Sequence, residues 1–513
     1  MLPVIALLFI LFLISCTMEE SSVEGKISDK HGGILRSAYY APTNFDPAFL
    51  NTTADIQVAR QWLDFLVYIG ADNQPDINRS LAESWKVDEA GTSWTFELRR
   101  GVLFHDGKEF TSRDVKFTFD RLRDPDIGAT TVTMYANIQD ITTPDDHTVV
   151  FDLKEPNPDF LKELGYRYAL IVDADNEDFD TNWNGTGPFM IEHYEPEDSL
   201  FFKRNPDYWM TDEDGHPLPY LEGIEIIFLD SPAAQVEALR KEEIDYLIDI
   251  SFESVPDLQN EPKIEVYKKT SNTKYVIRMR SDRPPADDVH VRQALKAGTD
   301  RGAILEAATG GLGVTGRDTP IGPVYGDYYL DVPELTREVD RARELLAEAG
   351  YEDGLEITLF TQETSPVPDI AATWKEQMSD IGVEVDIRLV SPEVYFYDGL
   401  TWMDVNFGIT QWGFRHSPQP YLDLAYKCGA EWNESHWCDE EIDELAELAA
   451  REMDHQERVR LYHEIQEIFI ERGPIIVPFF INNLWAAHER VKGLQPVGTL
   501  VTDMDLRSVY IEE

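Results

Sequence analysis

Short β-rich runs alternate with helical segments along almost the whole chain, without a repeating period. That pattern requires an α/β protein with mixed sheets. Trp94–Leu98 (WTFEL) alternates apolar and polar residues, then turns through His105-Asp106-Gly107-Lys108. Thr111 and Asp114 form a T-x-x-D box that opens a helix over Asp114–Leu122, and Asp124-Pro125 ends it. Thr148–Leu153, Phe189–His193 and Ile224–Leu229 read as strands, and Ala233–Leu239 as a helix. Lys263–Lys269 and Tyr275–Met279 read as consecutive strands, so the chain is expected to cross into a second lobe near 262–280. Helices are then expected over Val291–Ala308, Asp340–Ala349, Pro368–Ser379 and Glu440–Arg472, the last as two helices. Pro474–Ile481 (PIIVPFFI) reads as short buried strand broken by Pro478.

With 513 residues, three domains or two large lobes are expected. The 96 acidic against 45 basic residues give a net charge of −51. Such a surface repels phosphate backbones and anionic lipid headgroups, which excludes nucleic acid as a partner and leaves solubility as the plain reason for the acidity.

The apolar run Leu2–Ile14 is too short to span a bilayer, which takes about 20 residues. It ends in Leu13-Ile14-Ser15-Cys16, which resembles a bacterial lipobox, and a polar stretch to Lys30 follows as a tether. Cys16 is therefore the expected lipidation site, with a simply cleaved leader as the alternative. Either way the protein is placed outside the cytoplasm, in the periplasm or on the outer face of the cell membrane. The anchor is its one contact with the membrane, because no later segment approaches spanning length.

Motifs that suggest chemistry fail on context. Gly311–Gly316 matches G-x-G-x-x-G, but it follows a helix and precedes Pro320, so amides have no strand-to-helix turn from which to cradle a pyrophosphate. His463-Glu464 begins like H-E-x-x-H, but Glu467 stands where the second histidine should be. Cys428 and Cys438, with His436 between them, admit a metal site or a disulfide. Three ligands on one short loop are too few for structural zinc, which favours the disulfide, worth about 2–3 kcal/mol. No cofactor, metal or catalytic constellation is expected. Aromatic residues beside turns, Tyr39, Tyr40, Trp183 and Trp412, are the candidates for stacking in a binding cleft.

Several blocks, in order, resemble the extracellular solute-binding proteins of ABC importers, in the peptide/nickel-binding family (family 5). They are Leu81–Trp85, Trp94–Val102 with Phe104–Gly107 and Asp114-Val115, Gly185–Phe189, Arg204–Trp209, Val291–Leu295, Ala342–Gly350 and Cys428–Leu445. The resemblance implies a two-lobed periplasmic-binding-protein fold (type II, cluster C). Its mixed sheets meet at a hinge, and lobe one carries an inserted subdomain. The expected divisions are 1–15 signal peptide, 16–30 tether, 31–270 lobe one with the insert at about 54–180, 271–483 lobe two, and 484–513 returning to lobe one. It implies a non-enzymatic monomer that closes on a peptide or peptide-like solute and hands it to permease subunits. Oligosaccharides, opine-like compounds and metal chelates are the alternative solutes, and a surface hydrolase or chaperone-like lipoprotein the alternative class. Dipeptide-binding members carry a disulfide at the positions of Cys428 and Cys438. They also hold the peptide's ammonium with an aspartate and its carboxylate with an arginine. Here Arg415 and Asp369 fall at those places, inverting both charges. Both are retained as candidates: Arg415 would suit an anionic group of a solute, or the two would pair with each other.

Overall fold

The computed structural model describes residues 29–399 and 401–512, so Cys16, the leader and most of the tether lie outside the described residues. An eleven-stranded sheet runs through these residues. From one edge its order is Val383–Val390, Leu355–Gln362, Phe407–Trp412, Ile264–Met279, Ile475–His488, Tyr246–Ile248, Ile34–Tyr39, Gly223–Phe228, Ser199–Arg204 and Phe189–Glu195, with Gly313–Thr315 joining beside Ile475–His488. A separate four-stranded sheet, Ala82–Val87, Ser93–Leu98, Thr148–Leu153 and Ile138–Asp145, lies within the 54–180 segment. Its strands bury alternate residues, Trp94, Phe96 and Leu98 on one and Val149, Phe151 and Leu153 on the other, as a sheet with one wet face must. Helix Ser112–Arg123 opens with Asp114 accepting the Thr111 N–H at 2.8 Å, the reciprocal half of the box read from sequence.

Two long strands carry the main sheet from one half to the other. Ile264–Met279 and Ile475–His488 pair antiparallel, with Thr270 opposite Asn482 and Lys274 opposite Phe480, so the register slips across Ser271–Thr273. The slip is tied down: Ser271 Oγ donates to the Thr499 carbonyl at 3.2 Å and Asn272 Nδ2 to the Pro320 carbonyl at 3.1 Å. Apolar cores lie on both sides of this crossing. One is built around Leu35, Trp62, Phe96 and Trp485, a second around Ile277, Leu359 and Trp374, and a third around Trp412, Tyr421 and Phe469.

Three expectations need correction. The two strands read at 263–269 and 275–279 are one strand, because the intervening Ser-Asn-Thr is absorbed as an irregularity of the ladder. Pro478 does not break its strand. The ladder shifts register between Tyr275 and Ile277, opposite Val477-Pro478, which accommodates the missing N–H. The helix expected over 291–308 is two, Val289–Ala297 and Arg301–Thr309, because Gly298 ends the first and the Asp300 carboxylate caps the Ala303 N–H at 2.9 Å. The glycine motif is structural: Gly313–Thr315 is a strand, and a Cβ on Gly316 would lie 2.0 Å from the Val477 carbonyl oxygen. The 440–472 stretch does divide in two, Glu440–Arg451 and His455–Arg472. No helix among the described residues is long and apolar enough to cross a membrane.

Candidate functional site

Parallel strands end side by side at the crossing. In the first half Ile34–Tyr39 runs parallel to both Tyr246–Ile248 and Gly223–Phe228, and in the second Leu355–Gln362 runs parallel to Val383–Val390 and Phe407–Trp412. Ligands of open α/β sheets collect at such carboxyl ends, where turning loops expose side chains and backbone groups. The residues found there are Tyr39, Tyr40 and Asp249 on one side, and Gln362 and Trp412–Arg415 on the other.

Tyr39 is buried, and its phenol is pushed up by that burial and by the Asp249 charge. Tyr40 stands 42% exposed, its ring 5.8 Å from that of Tyr39. Asp249 turns the chain out of its strand with φ of 54°, a conformation that Asp adopts more readily than most residues. Its side chain stays accessible, yet the surrounding protein pushes its carboxyl upward. Trp183 is half-buried in an aromatic cluster, 5.5 Å from Phe45 and 6.2 Å from Tyr194.

Trp412 belongs to the floor instead of the wall. It is 4% exposed and packs in the third core, and its indole donates to Glu434 at 2.9 Å. Glu434 also accepts from Thr410 at 2.6 Å and lies 3.2 Å from Arg278, a buried polar network. The expected ligand-stacking face of Trp412 is therefore occupied by protein, because the strand's alternation turns this residue inward. Asp369 sits exposed in the first turn of helix Val367–Asp380 and does not pair with Arg415. Arg415 is half-buried and forms no ion pair among the described residues. Cys428 and Cys438 are joined as a disulfide, Cα atoms 4.5 Å apart, closing the loop that holds Glu434. His436 in that loop instead contacts the Met403 carbonyl at 3.1 Å.

Sequence reading missed the contacts that join the two halves at this site. Asp159, at the N-terminus of the short helix Phe160–Glu163, accepts from Arg458 Nη1 at 2.8 Å, both side chains being almost fully buried. Four residues on, Glu163 Oε1 lies 3.9 Å from His416 Nε2. Burial raises the Glu163 carboxyl to about 8 and lowers the His416 imidazole to about 4, so both are neutral at neutral pH. Asn73 donates to the His416 carbonyl at 3.3 Å, the Tyr166 ring lies 5.4 Å from the His416 ring, and Ser365 donates to Glu253 at 2.7 Å. Lys274, fully buried in the crossing strand, was also missed. A lysine inside the run Thr-Lys-Tyr-Val-Ile was the available signal.

Residues 76–433 match the bacterial extracellular solute-binding proteins, family 5. The chain belongs to that family. It is 28% identical to di/tripeptide-binding protein 1 of Pseudomonas aeruginosa over 85% of this chain and 86% of that one. It is 25% identical to heme-binding protein A of Haemophilus influenzae over 93% and 92%. Among solved structures, the periplasmic murein tripeptide-binding protein MppA in its unliganded open form superposes with a TM-score of 0.82 at 20% identity, covering 95% of this chain and 99% of that one. The Helicobacter pylori DppA complex with the peptide STSA gives 0.74 at 24% identity, covering 94% and 99%. The fold is thus the two-lobed α/β arrangement of this family.

Proposed function

We propose that this protein is the solute-capturing subunit of an ABC importer, held at the membrane by a lipid on Cys16 and taking a peptide or peptide-like solute between its lobes. Lobe one would comprise 31–270 and 484–513, with its insert at 54–180, and lobe two 271–483. The observation that carries the reading is the paired convergence of parallel-strand ends on either side of a two-strand crossing. Rotation about that crossing would bring Tyr40 and Asp249 of one lobe towards Arg415 of the other, burying the solute so that a few polar contacts decide specificity. The names of the relatives support peptides first. Scanning fluorimetry tests it. A saturating peptide, at about 100 times its dissociation constant, adds roughly 2.7 kcal/mol and raises the melting temperature. A shift with oligosaccharides or metal chelates and none with a broad peptide panel would replace the peptide reading while keeping solute capture.

A further inference from the structure

The buried guanidiniums of Arg278, Arg301, Arg458 and Arg507 each meet a carboxylate: Glu434, Asp318, Asp159 and Asp505. Arg292 and Arg204 have none, but they spend their N–H groups on several backbone carbonyls. Arg415 has neither. Its one hydrogen bond runs from Nη1 to the carbonyl of its neighbour Phe414, at 3.2 Å. In a chain with 96 acidic and 45 basic residues, Arg415 stands at the strand ends without a carboxylate partner among the described residues.

A buried lysine stands behind it. Lys274 is fully buried, its Nζ 3.6 Å from the centroid of the Tyr421 ring and 3.5 Å from the Asn272 carbonyl, with no carboxylate paired to it. Burial first, and then the charge of Arg415, pushes this ammonium well down. Tyr421 links the two, since its hydroxyl donates to the Gly413 carbonyl at 2.8 Å, in the turn that carries Arg415. Around them Asn272 Oδ1, His416 Nδ1 and Ser417 Oγ are buried polar atoms without a protein partner. A half-buried guanidinium that lacks an anion is costly, and so are unsatisfied polar atoms. An incoming anion would relieve the first cost, and its own polar groups could relieve the second.

We propose that Arg415, backed by Lys274, receives an anionic group of the solute, a carboxylate or a phosphate. The inference rests on the solute-capture reading. Arg415 makes the contact through its planar fork. Lys274 is a positioning residue that packs on Tyr421 and, through it, holds the Gly413–Arg415 turn.

The purified protein, equilibrated with yeast extract as a mixture of peptides, sugars, nucleotides and organic acids, would be washed and its captured solutes identified by mass spectrometry. Each would then be titrated calorimetrically in its free form and with its anion masked, as a methyl ester or amide for a carboxylate and as a phosphate ester for a phosphate. The expected solute carries one of these anions, and masking it weakens binding by about tenfold or more, as losing a charge-assisted pair should. Arg415→Gln should weaken the free form by a similar factor while leaving the masked form within about twofold, the signature of a direct coupling. Lys274→Met should show the same selectivity at smaller size, which a merely structural loss would not. Capture of an uncharged sugar would overturn the inference and leave solute capture standing. So would equal weakening of free and masked forms in Arg415→Gln. Capture of nothing would remove both readings.

Discussion

Asp159 and Glu163 stand at the two ends of the same short helix, and both face residues far along the chain, Arg458 and His416, yet they hold opposite protonation states. Burial works against charge at both. At Asp159 the Arg458 guanidinium overcomes it and holds the carboxylate ionised, well below its ordinary range. At Glu163 the facing group is an imidazole that burial has itself made neutral, so the carboxyl stays protonated to about 8. One turn of helix thus contains both outcomes of placing a carboxyl in protein. The partner decides between them, since burial is shared.

The largest expected break of this contrast is Arg458→Met. It leaves the Asp159 carboxylate buried without its partner and should cost about 3–5 kcal/mol in chemical denaturation followed by tryptophan fluorescence. Adding Asp159→Leu should recover much of that loss, because the uncompensated charge is then gone. A second single-variant loss left unrecovered by the pair would mean that geometry, not charge, holds this contact.

Next in size is the pH response of Glu163. A carboxyl raised from 4.5 to about 8 binds more protons folded than unfolded, so its contribution is complete below its ordinary value and declines as pH rises towards 8. His416, lowered to about 4, acts in the opposite sense, gaining stability as pH rises from about 4 to 6.5. Above that range Glu163 alone of the two titrates. Wild-type stability minus that of Glu163→Gln should therefore fall by about 1.6 kcal/mol between pH 6.5 and 8, at nearly 1.36 kcal/mol for each unit at first and half that slope near 8. A flat difference over that interval would show that water reaches this carboxyl. The smallest effect belongs to Asn73→Ala, which removes the hydrogen bond to the His416 carbonyl and should cost about 1 kcal/mol. Melting curves at pH 7 would measure it.

What was legible in the sequence was local or repeated in its pattern. The alternation of Trp94–Leu98, the Thr111/Asp114 box and the division of 440–472 all follow from residues within a turn or two of one another. Family membership was legible because its blocks occur in order along the chain. The partners across the lobes were not. Asp159 and Arg458 are separated by 299 positions, and nothing near either one names the other. Trp412 shows a subtler limit. Its neighbours Gly413 and Pro418 mark a turn correctly, but the face a strand-end residue presents depends on the register of the whole sheet. Here that register opposes Trp412 to Lys274 and sends its indole to Glu434. Asp369 lies on the expected helix, in an exposed position.

The strand Ile264–Met279 forms half of the crossing and also bears Asn272 and Lys274, so the crossing and the residue that positions Arg415 share one stretch of backbone. On the proposed capture by closure, a substitution there would act on two quantities at once, the fraction of molecules able to close and the intrinsic affinity of the closed state. The measured dissociation constant is their quotient. Equilibrium titration would report a single number for two causes. Association and dissociation rates would separate them, since a stiffer joint slows capture and release together, whereas a lost contact shortens residence alone.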